Sequence, residues 1–513
     1  MTEKKKLIVN HKVSFKGTFI YFDELNKELK KKNRNFRKIS TILKKNLYNF
    51  GLIIQTDFFF FAATDRVNSF PIFYNLSKNK VSFFTKDCME KDNKQNRDCI
   101  DEFLCAGYNC SDRTIFKNIK KLQSGQYIFF IKKTKKVKKE FYYSYLPNYK
   151  ARAKSLEETK KIFDKVFERL NNQIKNNPVC LFLSAGLDSR LLACKLHEMG
   201  KKNLTFISYG VANNFESIEA KKVSKTLGVD WRHVNISTKK SRAIFNSNLV
   251  KKYWEFGDNF SSFLSLREFF VLHEIKEKQI IPNNSIIING QSGDFLTGGH
   301  TQTVSKKSKG LNINNLCKII LKKHFTLNKQ KLSVKVKKII LQDIKSWIKK
   351  LKLQNTEDDF IRFYEFWEWI ERQTKYVTQG VRAYEFYGYK WLMPLWDFEL
   401  MDFWKKVPLY QKNQQTLYID YLNYYDYKNL FTNYKRRQSQ FPIQFKWIIL
   451  LGNLIHFFSD KNKKENFYKI AQYFGQYNHQ YKVYSLIEFI KKYETVKNPL
   501  SLFLNTWKER RLD

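Results

Sequence analysis

The sequence predicts an α/β chain in two parts, and three observations carry that expectation. Up to about residue 150, short apolar or alternating runs are separated by polar turns, the pattern of antiparallel strands. From Ser155 on, apolar strands alternate with segments of helical period, the pattern of a parallel sheet covered by helices. From about Asn312 to the end, long Lys- and aromatic-rich helical patterns dominate. The expected boundary divides residues 1–150 from 151–513.

In the first part the expected strands are Leu7–Val9, Phe50–Gln55, Phe58–Ala63, Lys80–Thr85 and Gln126–Ile131, with a basic hairpin-like stretch at Lys132–Lys139. They suit two stacked antiparallel sheets. In the second part Leu156–Lys175 carries Ile162, Phe163, Val166, Phe167 and Leu170 at helical spacing. Strands are expected at Val179–Leu183, Leu204–Tyr209, Trp231–Asn235 and Ile286–Ile288. Between them lie helices at Leu191–Gly200 and Ser217–Leu227, stopped by Gly200 and Gly228.

Composition removes several classes. With 43% hydrophobic and 17% aromatic residues the chain can bury sizeable cores, so it is not a disordered chain. Seven Cys in 513 residues do not make a disulfide-stapled scaffold. The net charge of +46 invites a nucleic-acid reading. The basic residues are spread along the chain, however, and Lys, Asn, Ile, Phe and Tyr richness with 8 Pro and 18 Gly reads as compositional drift. Met1–Lys6 has no apolar stretch of signal-peptide length after it, and the longest apolar run, Trp447–Phe458, is too short to cross a bilayer. A cytoplasmic protein without a membrane span is expected.

The chemistry-bearing segment is Leu183-Ser184-Ala185-Gly186-Leu187-Asp188-Ser189, at the first strand–helix junction of the second part. Small residues there leave backbone N–H groups free at a helix start, which suits phosphate. Ser184 and Ser189 offer hydroxyls, and Asp188 would serve by holding Mg²⁺ against the phosphate. An ordinary junction with Asp188 or Ser189 as helix cap fits the same residue types. A second turn, Asn289-Gly290-Gln291-Ser292-Gly293-Asp294 with Gly298-Gly299 behind it, follows another strand. Two such turns would meet at the carboxyl edge of one sheet, where open α/β sheets bind ligands. Asp294 could then share a magnesium–pyrophosphate unit with Asp188.

Ser184–Ser189 resembles the pyrophosphate loop of the N-type ATP pyrophosphatases, with Ala185 at its first Gly. Asn289–Gly299 resembles the second nucleotide loop of the asparagine synthetase family, and Met393-Pro394-Leu395-Trp396-Asp397 its Pro-containing segment. Phe50–Tyr74, with Asp65-Arg66, and Phe103–Gly125, around Arg113, resemble parts of the glutaminase-like N-terminal domain. The matches stay in order from about residue 50 to 400. The resemblance implies an αββα sandwich like that of the N-terminal-nucleophile hydrolases, then an adenine-nucleotide α-hydrolase-like domain.

It also implies an ATP-dependent, AMP-forming ligase that joins a small-molecule carboxylate to an amine or ammonia. Ser184, Gly186, Asp188 and Ser189 would cradle pyrophosphate, and Asp188 and Asp294 would hold Mg²⁺. Leu183, Tyr209, Asn289 and Gly290 would meet the nucleotide, and Arg382 would touch phosphate or carboxylate. Two departures stand out. Position 2 is Thr2, not the Cys of a working glutaminase, so a degenerate glutaminase-like domain is expected, with nitrogen from free ammonia, an amine-bearing substrate or a separate ammonia donor protein. Lys390 stands where relatives carry Glu before the Pro segment, so Glu385 or Tyr387 would have to orient the amine. A sugar acid of surface polysaccharide is one acceptor the family suggests. Rival readings are a tRNA-modifying ATP pyrophosphatase, which the charge would suit, and a non-catalytic scaffold that kept the fold.

Overall fold

The computed structural model describes residues 4–8, 11–77, 80–84, 94–210, 212–257, 260–305, 312–328, 332–354, 356–432, 473, 477, 481–493, 496 and 500–512. Nine strands lie in the N-terminal part: β1 (Lys4–Ile8), β2 (His11–Gly17), β3 (Phe50–Gln55), β4 (Phe59–Thr64), β5 (Phe73–Ser77), β6 (Lys80–Phe84), β7 (Lys120–Lys121), β8 (Gln126–Ile131) and β9 (Val137–Phe141). They form two antiparallel sheets, β1-β2-β3-β4-β8-β9 and β6-β5-β7.

Alternation along the central strands decides how these sheets are covered. Ile53, Ala62 and Ile128 on one face of the large sheet pack against Ile72, Tyr74 and Leu122 of the small one. Phe59 and Phe129 on the other face stack on each other and meet Phe36 and Arg34. Phe36 opens the helix Phe36–Lys45, which is capped by the Asn35 side chain, and the helix Phe22–Lys30 precedes it. These two Lys-rich helices stand in a region that the sequence reads mainly as strands. Their apolar residues Leu25, Leu29, Ile39, Ile42 and Leu43 are fully buried. Thr2, Val9 and Thr85 lie outside the described residues.

The second part begins with the helix Leu156–Ile174, started by a reciprocal capping box of Ser155 and Glu158. Five strands follow: β10 (Val179–Phe182), β11 (Leu204–Tyr209), β12 (Asp230–Val234), β13 (Ile286–Ile288) and β14 (Lys390–Leu392). They form a wholly parallel sheet in the order β12-β11-β10-β13-β14. The first strand is central, so the chain direction of winding reverses between β10 and β13, and a crevice opens there. The helix after β10 runs Leu187–Glu198, beginning four residues earlier than its apolar period suggests. Gly200 and Gly228 both adopt the left-handed conformation that ends a helix.

β14 corrects the expectation of an all-helical C-terminal region. Its three residues pair in register with β13, Ile286 with Lys390 and Ile288 with Leu392. A long excursion of helices separates β13 from β14, among them Ile313–His324, Val334–Lys350, Glu357–Trp367 and the π-helix Glu368–Val377. That π-helix and the turns after it hold the N-terminal part. Trp369 Nε1 donates to the Arg66 carbonyl at 3.0 Å, and Gln379 Nε2 to Asn68 at 3.2 Å. The Lys375 ammonium donates to the carbonyls of Asn109 and Ser111 at 2.9 and 2.6 Å. Among the described residues no helix is long and apolar enough to cross a membrane. The apolar run Trp447–Phe458 lies outside them.

Candidate active site

The two turns singled out above emerge side by side, because β10 and β13 are hydrogen-bonded neighbours. Strand pairing continues one residue past β10, where Leu183 N–H donates to Ile207 at 2.8 Å. The chain then turns through Ser184–Gly186 into the helix at Leu187. Hydroxyls hold the turn: Gly186 N–H donates to Ser184 Oγ at 3.1 Å, and Ser184 N–H to Ser189 Oγ at 3.2 Å. The Ala185 N–H points outward and donates to Glu216 Oε2 at 2.7 Å. An acid thus occupies one of the amides that an anion would use.

The second turn crosses directly over Asp188. Asp294 N–H donates to Asp188 Oδ2 at 3.0 Å, and the Tyr418 hydroxyl donates to Oδ1 at 2.9 Å. Position 293 must be Gly: a Cβ there would lie 2.4 Å from the Asp188 carboxyl carbon. Burial, and then the nearby Asp294 charge, push the Asp188 carboxyl up to about 7. Asp294 is held the other way. Desolvation works against its charge, but the His300 hydrogen bond and charge outweigh it and lower the carboxyl. The Asp188 carboxyl feels the Asp294 charge, and a cation bound by both would relieve that repulsion. Hard oxygen donors with phosphate oxygens and waters to complete the shell are what Mg²⁺ takes.

The remaining nucleotide candidates surround this point. Asn289 donates from Nδ2 to the Tyr384 hydroxyl at 2.6 Å, and its Oδ1 accepts the Gln291 N–H at 2.7 Å. A Cβ on Gly290 would sit 3.3 Å from Leu192 and 3.6 Å from Asp188, so the second turn is seated tightly on the first helix. Tyr209 ends β11 and stands edge-on to Phe182 at 5.7 Å. Burial pushes its phenol up to about 12. Leu183, Ser184, Gly186, Asp188, Ser189, Asn289, Gly290 and Asp294 thus line one crevice, with Tyr209 one strand away.

Arg382 and Glu385 are engaged elsewhere. Arg382 donates to Glu385 at 2.6 Å and to the Ser69 carbonyl at 2.6 Å, and Trp391 Nε1 donates to Glu385 at 2.9 Å. Their charges neutralise each other at the seam with the N-terminal part, and these bonds leave neither aimed at the two turns. Lys390 is exposed and opens β14, at the strand end away from the two turns. Tyr387 is buried against Phe269 and Phe386.

Sequence reading missed Glu216, Tyr418, His300, Glu368 and the buried pair in which the Tyr384 hydroxyl donates to Glu268. His300 directly follows the Gly298-Gly299 pair, a positional signal that could have drawn it in. Cys99, Cys105 and Cys110 are buried free thiols, and among the described residues no cluster of three or more His, Cys, Asp or Glu could hold a metal.

Comparison with known proteins follows this geometry. A protein of Methanocaldococcus jannaschii, provisionally named glutamine-hydrolyzing asparagine synthetase 2, is 26% identical over 258 residues. The match covers 47% of each chain, so this chain spans about half the length of that curated relative. Among solved structures, the NH3-dependent NAD synthetase of Campylobacter jejuni shares 20% identity, with 28% of this chain and 60% of that one covered at a TM-score of 0.20. The Bacillus subtilis glutamine phosphoribosylpyrophosphate amidotransferase shares 6%, with 57% and 58% covered at a TM-score of 0.15. Superpositions this poor bear on neither fold nor chemistry. The asparagine synthase family model matches residues 166–437, more than half of the chain and both turns of the crevice. The chain belongs to the asparagine synthase family.

Proposed function

We propose that this chain is an ATP-dependent, AMP-forming carbon–nitrogen ligase. A substrate carboxylate attacks the α-phosphorus of ATP, giving an acyl-adenylate and pyrophosphate. An amine or ammonia then attacks the acyl carbon and releases AMP and a proton. The observation that carries this reading is the meeting of Asp188 and Asp294 across the β10–β13 crevice, beside a turn of small residues and hydroxyls.

Each residue has a part in that scheme. Ser184, Ser189 and the Gly186 amide bind the pyrophosphate oxygens, and the Glu216 carboxylate gives up the Ala185 amide as the anion enters. Asp188 and Asp294 would hold Mg²⁺, which offsets charge developing on the leaving pyrophosphate. Leu183, Tyr209, Asn289 and Gly290 flank the adenosine. We read residues 1–150 as an αββα glutaminase-like part that does not supply nitrogen, and 151–513 as the ligase part, in a cytoplasmic protein. Nitrogen then comes from free ammonia, an amine substrate or a separate donor protein, and a sugar acid is one candidate acceptor.

The test is pyrophosphate release from Mg·ATP with a panel of carboxylates, with and without ammonium. Release should require a carboxylate and fall to background in Asp188→Ala. Equal release from both proteins would sink the assignment.

A further inference from the structure

Behind Asp294 lies a chain of polar contacts for which the reaction scheme has no use. Asp294 Oδ1 accepts the Phe295 N–H at 2.8 Å, and Oδ2 lies 3.3 Å from His300 Nε2. With a donor on each oxygen, the carboxylate cannot rotate without losing one of them. The imidazole is fixed in turn. Its Nδ1 lies 3.2 Å from Glu368 Oε2, and its ring stands edge-on to Phe295 at 5.7 Å. Glu368 is fully buried and accepts the Tyr364 hydroxyl at 2.9 Å, with His324 Nε2 at 3.2 Å.

Glu368 is also the first residue of the π-helix Glu368–Val377. Helices of this kind are rare and gather at functional sites. Five residues further along, Gln373 Oε1 accepts the Ser292 hydroxyl at 2.7 Å. Ser292 sits in the left-handed region, at φ +67°, directly before Gly293-Asp294. That conformation is costly for a non-glycine residue, so something must hold it. One helix therefore grips the second turn at two points, through Ser292 and through His300. The first holds the backbone two residues before Asp294, and the second reaches the Asp294 carboxylate itself.

We propose that His300, clamped by Glu368, is a positioning residue for the divalent cation: it fixes the rotamer of the Asp294 carboxylate next to Asp188. This rests on the reading above that the two aspartates hold the cation. Groups that orient metal-binding carboxylates are worth about 10–100-fold in metal affinity. A merely structural role for the same contacts would lower stability and leave metal affinity per folded molecule unchanged.

The experiment titrates Mn²⁺ into the full chain in the presence of α,β-methylene-ATP, following free Mn²⁺ by electron paramagnetic resonance. Four proteins are compared: wild type, His300→Ala, His300→Gln and Asp188→Ala. Affinity for the analogue alone and thermal unfolding are measured beside it. The expected result is Mn²⁺ binding about 10–100-fold weaker in His300→Ala. His300→Gln, which keeps a donor toward Asp294, should recover part of that loss, and affinity for the metal-free analogue should change less than about threefold. Wild-type Mn²⁺ affinity in His300→Ala, with Asp188→Ala deficient, overturns the proposal and leaves the two-aspartate reading standing. Wild-type affinity in all the variants overturns both. Should His300→Ala not fold, His300→Gln carries the test: weakened Mn²⁺ binding at an unchanged melting temperature supports the proposal, and lowered stability at unchanged affinity refutes it.

Discussion

Two aspartates, the fully buried Asp65 of the first part and the half-buried Asp188 of the second, stand in different situations. Asp65 sits between β4 and β5 and takes four donors: Val67 N–H and Ser69 N–H on Oδ1, Phe50 N–H and Asn49 Nδ2 on Oδ2. Burial raises its carboxyl, and the bonds from Ser69, Val67 and Phe50 offset only part of that rise. Asp188 takes two donors and faces another carboxylate, so burial and repulsion act together. The first aspartate is spent on the fold it sits in. The second carries charge that a proton or a bound cation would balance. Polar groups in the sandwich hold backbone in place, whereas those at the parallel sheet's carboxyl edge are left poised for a guest.

The largest effects should come from exchanging these roles. Asp65→Ala strands three buried backbone donors, since Asn49 keeps Ser69 Oγ at 2.7 Å, and should cost more than about 3 kcal/mol in urea unfolding, taking activity down only with the folded fraction. Asp188→Asn should do the reverse, lowering ATP-dependent pyrophosphate release by about 100-fold or more while leaving the urea midpoint unchanged or higher. Similar stability losses in both variants would erase the distinction.

Next in size is a pH effect on the metal-free protein. The Asp188 carboxyl is raised to about 7 in the folded chain, against about 3.9 in an unfolded one. Between those values the folded state holds a proton that the unfolded state has lost. This group's contribution to stability is therefore full below about pH 4 and lost as pH rises through about 7. Melting temperature measured across that range should fall less steeply with rising pH in Asp188→Asn than in wild type.

Glu385 sharpens the comparison from the other side. It is tied to Arg382 and Trp391 at the seam. Glu385→Gln should cost about 1–3 kcal/mol of stability and leave the KM for ATP near wild type. A selective collapse of kcat at unchanged stability would return it to the list of catalytic residues. The smallest effect should belong to Lys390→Glu: the side chain is exposed at the start of β14, and the change should stay within about 0.5 kcal/mol.

The crevice was legible in the sequence because its parts are local. Gln126–Ile131, Leu204–Tyr209 and Ile286–Ile288 are strands at the bounds their apolar runs announce. A Gly-rich turn after such a strand carries its own meaning. The helices Phe22–Lys30 and Phe36–Lys45 were not legible, because each is only nine or ten residues long and carries few apolar residues among charged ones. Strand β2 has only Val13 and Phe15 as apolar residues, and β14 has three residues, too few to show a period. Long-range supports were out of reach for a different reason. His300 and Glu368 are 68 positions apart, and Ala185 and Glu216 are 31 apart. Only the fold brings them together. The pairing of Arg382 with Glu385 was likewise hidden, because a charged pair three residues apart on a helix looks the same whether it serves a substrate or itself.

In the proposed function Asp188 and Asp294 jointly hold a cation against the phosphates of ATP. Calorimetric titration of ATP into the full chain, with and without Mg²⁺, tests it most directly. The account predicts binding that depends on Mg²⁺ in the wild type and loses that dependence in both Asp188→Asn and Asp294→Asn. Metal-independent binding by the wild type, or unaltered metal dependence in both variants, would contradict it.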